Sequence, residues 1–209
     1  MNPCYGRGAA GLRAAAVFLL FIAGPVAAQA SAADAAGLAA ARGAAERAHL
    51  WRVGAWGAAS VAAGTVLLVS SGGRDGRRAF SVQSLAWGAV NTGIAAVGLL
   101  RAAPDSALAL GGALRAEAHL ADILWLNLGL DAGYVAVGAT LWIVAARGVP
   151  NPEAWRGHGR AVVLQGAVLL ALDALVLAGS SGRFEALTRL AEGVALVPAA
   201  RGAALVVGL

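Results

Sequence analysis

The sequence has little charge and no lysine. Only 13% of its 209 residues are charged and 59% are hydrophobic, whereas about a quarter of the residues of a soluble domain are charged. All sixteen basic residues are arginines, and they lie at the ends of apolar segments instead of forming a stripe. We therefore interpret the net charge of +5 as a determinant of membrane orientation and expect no nucleic-acid partner.

Residues that carry out redox, metal or covalent chemistry are scarce. Cys4 is the single cysteine, so the chain has neither an intrachain disulfide nor a dithiol redox pair. The three histidines, His49, His119 and His158, fall at the ends of apolar segments, whereas the haem ligands of a bundle face one another within it. No esterase, zinc-protease or phosphate-loop motif occurs in its proper context. We expect no enzymatic activity, no cofactor and no metal, with an exposed metal site at His49 and His119 as the minor alternative.

The first thirty residues have the order of a secretory signal peptide. Arg7 and Arg13 precede an apolar run at 14–23, and the A-Q-A sequence at 28–30 offers small residues for cleavage after Ala30. An uncleaved anchor helix is the alternative. In either case the next segment, 31–48, is expected outside the cytoplasm, where its Ala-rich sequence favours a short surface helix.

Four apolar segments follow, each long enough to cross a membrane as a helix. They lie at about His49–Ser70, Phe80–Leu100, Ala121–Ala146 and Ala161–Gly179, and ~20 apolar residues are sufficient for crossing. Because hydrocarbon offers the backbone no hydrogen-bond partner, a helix is the favoured conformation. The sequence thus predicts an all-α bundle of four transmembrane helices over 49–180.

The arginines of the connections predict the orientation of this bundle. Residues 72–79 and 147–160 contain three arginines each, whereas the loop at 101–120 balances two arginines with two acidic residues. The positive-inside rule then places the first and third connections in the cytoplasm and both termini of the mature chain outside. In the C-terminal tail, 181–209, the spacing of Phe184, Leu187 and Leu190 predicts an interfacial helix.

The first helical hairpin can be aligned with the second. One constant offset aligns Trp51 and Gly64 with Trp125 and Gly138. A second constant offset pairs residues of the following helices: Arg78, Gln83 and Asn91 with Arg160, Gln165 and Asp173. This pattern favours two tandem hairpins that run in the same direction, as in a parallel repeat.

Polar residues occur within the predicted spans and converge near the middle of the membrane. Helix three carries Asn127, Asp131, Tyr134 and Gly138 at spacings of four, three and four, which place them on one helical face. Gly129 and Gly133 flank Asp131 in a small-xxx-small pattern, so these two glycines and Gly138 are predicted packing positions. Asp131 is therefore expected to face protein.

Several of these polar residues are predicted to lie at a similar depth in the membrane. With a rise of ~1.5 Å per residue, Asp131 and Asp173 each lie within roughly 5 Å of the midplane. Asn91 lies close to the midplane too, and Gln165 lies nearer the cytoplasm. A charge at the bilayer centre costs at least ~2.5–3.5 kcal/mol, and no lysine or arginine lies at that depth. We expect at least one aspartate to be protonated near neutral pH, donating to Asn91, Asn127 or the other aspartate.

Three stretches resemble an uncharacterised family of small bacterial four-helix integral membrane proteins, a domain of unknown function. They are QSLAWGAVNTGIAAVGL, LNLGLDAGYVAVGATL and RAVVLQGAVLLALD, and the likeness covers about residues 45–180. The resemblance implies a four-helix membrane fold and a bacterial inner (plasma) membrane location, and it implies no activity.

Two functions remain open at this point. In the first, the chain is a non-enzymatic accessory or structural membrane protein, and its polar residues are interhelical contacts worth about 0.6–2 kcal/mol each. In the alternative, it is a small proton-coupled transporter or permease that uses Asp131 and Asp173. Four spans are few for a monomeric pathway, so the alternative requires a homo-oligomer. The expected partners are the lipid bilayer and either further copies of the chain or another membrane protein.

Overall fold

Four helices make up most of the described chain. A computed structural model describes residues 8–102, 108–199 and 202–207, and it describes side chains for 32–102 and 108–193. The helices are α1 (Gly8–Val69), α2 (Asp75–Arg101), α3 (Leu110–Ala145) and α4 (Pro152–Glu192). The predicted helical architecture is therefore confirmed, whereas the predicted signal peptide, 1–30, lies outside the residues whose side chains are described.

A two-stranded antiparallel ribbon, which the sequence did not predict, follows α4. Its strands are β1 (Val194–Ala199) and β2 (Gly202–Val207), and their register pairs Val194 with Val207 and Ala199 with Gly202. Short apolar runs of this length are ambiguous between helix and strand.

Three of the four helices are long and apolar enough to cross a membrane. These stretches are Ala32–Val69, Leu110–Ala145 and Pro152–Glu192. The fourth predicted span, α2, is not among them. Its sequence includes Ser81, Ser84 and Asn91, which the bundle buries, and these polar residues lower its hydropathy.

The helices extend well beyond the bilayer thickness. With 36 residues in α3 and 41 in α4, their lengths are ~54 Å and ~62 Å, against a hydrocarbon layer of ~30 Å. Near the start of α3 and the end of α4, Ala35 and Ala39 of α1 pack against Ala113 and Leu187. The buried Glu117 also accepts two hydrogen bonds there from the Arg183 guanidinium, at 2.9 and 3.0 Å.

This extension corrects two expectations about the segments that flank the bundle. Residues 32–48 belong to α1 and pack against α3 and α4, so they do not form a separate surface helix. The predicted interfacial helix of the tail is instead the last part of α4, with Leu187 only 1% exposed. The apolar face of that tail is used for protein packing because α1 continues far enough to cover it.

The two hairpins pack by closely similar contacts. A Cβ atom on Gly64 of α1 would lie 3.0 Å from the carbonyl oxygen of Ser81. One on Gly138 of α3 would lie 2.7 Å from the amide nitrogen of Val163. The two residue pairs are equivalent by the two offsets of the sequence alignment, although Ser81 contributes its carbonyl oxygen and Val163 its amide nitrogen. The tandem repeat itself stays a prediction.

Both arginine-containing connections lie at the same end of the bundle. Asn151, with φ of 52°, caps α4 by accepting from the amide of Ala154 at 3.2 Å and donates to Asp75 Oδ2 at 3.0 Å. The start of α2 also contacts the start of α4 where Gly76 meets Gly157. We call this the arginine end, formed by residues 70–78 and 146–160, and the opposite one the far end.

Candidate functional site

Three ionisable side chains from three helices meet inside the bundle. Asp131 of α3 and Asp173 of α4 are each 4% exposed, and their carboxyl groups lie close enough to interact with each other. His49 of α1 places Nε2 2.9 Å from Asp173 Oδ1. Gly166 permits the close approach of α4, because a Cβ there would lie 2.8 Å from the carbonyl oxygen of Asp131. We call His49, Asp131 and Asp173 the acid triad.

The contacts of the acid triad limit where protons can be held. Two neighbouring carboxyl groups can hydrogen-bond to each other only when one of them holds a proton, since an ionised carboxylate only accepts. His49 Nδ1 and Asp131 Oδ2 are buried and have no hydrogen-bond partner among the described residues. A neutral imidazole with its proton on Nε2 donates to Asp173 and leaves no donor unpaired. Both unpartnered atoms are then hydrogen-bond acceptors.

The contact of His49 with Asp173 was not predicted from the sequence. The apolar segment begins at this histidine and therefore indicated a helix end, but α1 continues on the N-terminal side of it. His49 therefore lies within a helix and supplies the partner that the search for lysine and arginine did not find. The remaining expectation, that Asp131 faces protein, is confirmed by its burial.

A second polar cluster is centred on Gln165 of α4. Its Oε1 accepts from Trp56 Nε1 at 2.7 Å and from Asn91 Nδ2 at 3.5 Å, and its Nε2 donates to Ser60 Oγ at 3.0 Å. These contacts tie α4 to α1 and α2. Asn91 thus binds the amide of Gln165, whereas the sequence placed it among the partners of the aspartates.

A cavity of about 330 Å³ lies beside the acid triad. Asn127 and Tyr134, which the sequence placed on the face of Asp131, line it together with Asp131, Asp173 and His49. On the arginine-end side, the ring of Tyr134 meets that of Trp87 edge-on, with centroids 4.6 Å apart. The predicted polar face of helix three is therefore the wall of a cavity.

Two of the three predicted packing glycines are not at a helix contact. A Cβ on Gly129 or Gly133 would meet nothing within 4 Å, whereas one on Gly138 would meet the α4 backbone at 2.7 Å. The prediction for the first two was wrong because residues two apart on a helix are separated by about 200° around its axis. Both glycines consequently face away from the side on which Asp131 is buried.

The described side chains offer no metal centre. Within residues 32–102 and 108–193, no three histidine, cysteine or acidic side chains are arranged so that they could hold a metal ion. The acid triad accordingly offers proton binding and hydrogen bonding.

Comparison with known proteins identifies the family and no activity. The model of a family of unknown function, DUF6992, matches residues 52–174, so the chain belongs to that family. The matched segment contains both aspartates of the acid triad and begins shortly after His49. No curated protein and no solved structure matches the chain.

Proposed function

We propose that the chain is a non-enzymatic integral membrane protein that binds and releases protons at the acid triad and acts as a small proton-coupled carrier. All four helices cross the bilayer in this proposal. Packing supports a crossing by α2: it runs beside α1 from Ser81, next to Gly64, to Gly98, next to Leu50. The contact between the two helices extends over ~21 Å along α1. If this part of α1 lies in the hydrocarbon layer, α2 lies in the same layer beside it.

The charge distribution supports an orientation. In our proposal the arginine end faces the cytoplasm of a bacterial cell, and the far end lies outside the plasma membrane. The signal peptide proposed for residues 1–30 would deliver the start of the mature chain to the same outer side.

The observation that carries the proposal is an unsatisfied buried acid beside a cavity. Gln165 shows the arrangement expected of a structural contact, since it is 1% exposed and both of its polar atoms are bonded. Asp131 is also buried, yet no hydrogen bond to its Oδ2 is found among the described residues, and the residue borders the cavity. A buried unpaired polar atom costs roughly 1–3 kcal/mol, and an acid that serves only structure has no reason to retain this cost.

The cavity does not continue to the arginine end. Trp87 and Tyr134 meet on that side of the acid triad. The Gln165 cluster, whose Asn91 also lines the cavity, lies at about the level of Tyr134. Passage to the arginine end therefore requires these contacts to separate, and we propose a homo-oligomer in which neighbouring copies support that motion.

Infrared difference spectroscopy in lipid tests proton exchange directly. We expect the wild-type protein to show the carbonyl band of a protonated, buried carboxyl group, and this band should fall as pH rises from mildly acidic to mildly alkaline. Asp131→Asn should remove the pH-dependent band. Asp122→Asn is the matched control, because Asp122 is an exposed aspartate on the same helix, and it should leave the band unchanged.

A structural or accessory bundle is the second candidate, and the Gln165 cluster favours it. In that case a protonated acid serves as a permanent hydrogen-bond donor between α3 and α4. The carbonyl band would then be present at every pH, and Asp131→Asn would preserve stability because asparagine also donates. A band that does not respond to pH therefore rejects the carrier and supports the second candidate.

A further inference from the structure

The cavity beside the acid triad opens sideways between α2 and α3. Within residues 75–101 and 110–145, no Cα atom of one helix lies within 8 Å of a Cα atom of the other, although each helix packs against α1 and α4. The rings of Trp87 and Tyr134 bridge the gap on the arginine-end side. Four apolar side chains of the cavity wall flank the gap and are between 43% and 58% exposed: Val90 and Ile94 on α2, Ile123 and Leu130 on α3. We call these four residues the mouth. In a bilayer the mouth faces hydrocarbon, so the cavity is accessible from the lipid.

The interior of the cavity carries an excess of acidic groups. Its ionisable lining residues are Glu46 and His49 on α1, Asp131 and Tyr134 on α3, and Asp173 on α4. The lining from α2 includes Trp87 and Asn91 and no ionisable residue. Glu46 is paired with Arg42 at 2.8 Å, which leaves two carboxyl groups and a single imidazole facing the space. Loss of a proton held by one of these two carboxyl groups would leave both of them ionised in the cavity.

Aromatic groups close the cavity toward the arginine end. Trp87 and Tyr134 both line the cavity and pack edge-on against each other. Aromatic rings attract cations through their negative faces, most strongly for tryptophan and when the cation is desolvated. The acidic and the aromatic side chains of the cavity therefore both favour a positively charged ligand.

The volume limits the size of a ligand. At about 330 Å³ the cavity is at the lower end of the ~300–1,000 Å³ range of small-molecule sites. It accommodates a compact head group with a small apolar body, and a longer tail would extend through the mouth into the lipid.

We infer that this cavity binds a lipophilic organic cation, namely an amine or quaternary ammonium group on an apolar body, which arrives from the lipid through the mouth and exchanges with a proton of the acid triad. The exchange conserves charge, since one proton leaves the carboxyl pair as one positive charge takes its place. This inference rests on the proposed function, because it names the class of substrate of the same site.

Binding of a cation and its neutral isostere to the protein in lipid nanodiscs tests the inference. Benzyltrimethylammonium and neopentylbenzene have the same shape and differ by the replacement of a charged nitrogen by carbon. We expect only the cation to bind, and its Kd should decrease by up to ~tenfold per pH unit as pH rises, as linkage requires for one-for-one exchange. Asp131→Asn should abolish this pH dependence, and Asp122→Asn should preserve it.

The outcomes separate failure of the ligand class from failure of the proposed function. If the cation does not bind while the carboxyl band responds to pH, the ligand class is wrong and proton exchange stands. Equal, pH-independent binding of both probes would also overturn the inference, because the cavity would then be a site for apolar molecules. If neither binding nor a pH-dependent band is seen, both proposals fail.

Access through the mouth has a test that leaves the acidic residues intact. Ile94→Trp enlarges an exposed mouth residue, and Ile143→Trp makes the same change at an exposed α3 position that does not line the cavity. We expect the first substitution to slow cation association at least several-fold and the second to leave the rate unchanged. Equal rates in both variants would show that the ligand does not arrive between α2 and α3.

Discussion

Replacing Gln165 by methionine removes the hydrogen-bonding groups that connect three helices, while it keeps an unbranched side chain of similar length. Trp56 and Asn91 then lose a common acceptor, and Ser60 loses its donor. Ser60 and Asn91 are buried, so lipid or water cannot replace the lost contacts without rearrangement. We predict that Gln165→Met destabilises the bundle.

The magnitude follows from the geometry of the three contacts. Those with Trp56 and Ser60 have ordinary hydrogen-bond lengths, whereas the 3.5 Å contact with Asn91 is long for an N–H donor. Interhelical hydrogen bonds in membranes contribute about 0.6 kcal/mol on average and about 1.7 kcal/mol at most. Two such bonds give a loss of about 1.2 to 3.4 kcal/mol in the free energy of unfolding. The buried groups left unpaired favour the upper half of this range.

The alignment of the two hairpins supplies a matched control in Gln83, which it pairs with Gln165. Gln83 makes one side-chain contact, with His158 Nδ1 at 3.2 Å, and it is only half-buried. Gln83→Met should therefore cost about 0.6 kcal/mol. Equivalent substitutions at equivalent positions are thus expected to differ by at least a factor of two.

Reversible unfolding in mixed micelles, titrated with a denaturing detergent and followed by far-ultraviolet circular dichroism, measures both values. The purified wild-type protein is the reference. Equal losses for the two variants would refute the reasoning, because the Gln165 cluster would then contribute no more than a single contact. A Gln165→Met protein as stable as wild type would refute it as well.

Two further predictions concern packing and charge. Gly138→Ala should strongly destabilise the bundle or prevent its assembly, because the new Cβ would lie 2.7 Å from the α4 backbone. Gly129→Ala should be tolerated, because nothing lies within 4 Å of a Cβ at that position. The same unfolding assay compares the two variants. Arg183→Ala should lower the free energy of unfolding by about 3–5 kcal/mol, because it leaves the fully buried Glu117 unpaired. Arg189→Ala breaks an exposed ion pair and should have no measurable effect on stability. Recovery of stability when Glu117→Leu is added to Arg183→Ala would identify the unpaired carboxylate as the cause, and no recovery would contradict it.

Hydropathy predicted the helices better than it predicted their ends. The apolar runs indicate four helices because the backbone needs internal hydrogen bonds in lipid, and the structure has helices at all four positions. The same runs stop at His49 and near residue 180, whereas α1 begins earlier and α4 ends at Glu192. Alanine-rich and mixed segments continue a helix when a neighbour covers one face, and such tertiary support is invisible to a hydropathy scale.

The sequence predicted how deep in the bundle the site residues lie. It predicted only in part how each helix is rotated about its own axis. Rise per residue placed Asp131 and Asp173 at one level, and their carboxyl groups lie close to each other in the structure. The position of Asn91 was also correct in depth, but the rotation of α2 turns its amide toward Gln165. Several polar groups can lie at one level of the bundle, and the helix crossing angles determine which of them become partners. Residue spacing along a single helix does not encode these angles.

The two hairpins that the sequence aligns differ in the polar groups that they contribute. The glycines at equivalent positions, Gly64 and Gly138, serve the same packing role in both hairpins. Asn91 and Asp173 are also equivalent, yet the amide bonds to the Gln165 cluster and the carboxyl group to His49. Asn91 therefore belongs to the Gln165 cluster, which ties three helices together, whereas Asp173 at the aligned position lies at the wall of the cavity beside Asp131 and His49. This difference between aligned positions is the reason for proposing proton exchange at Asp173 and a structural contact at Asn91.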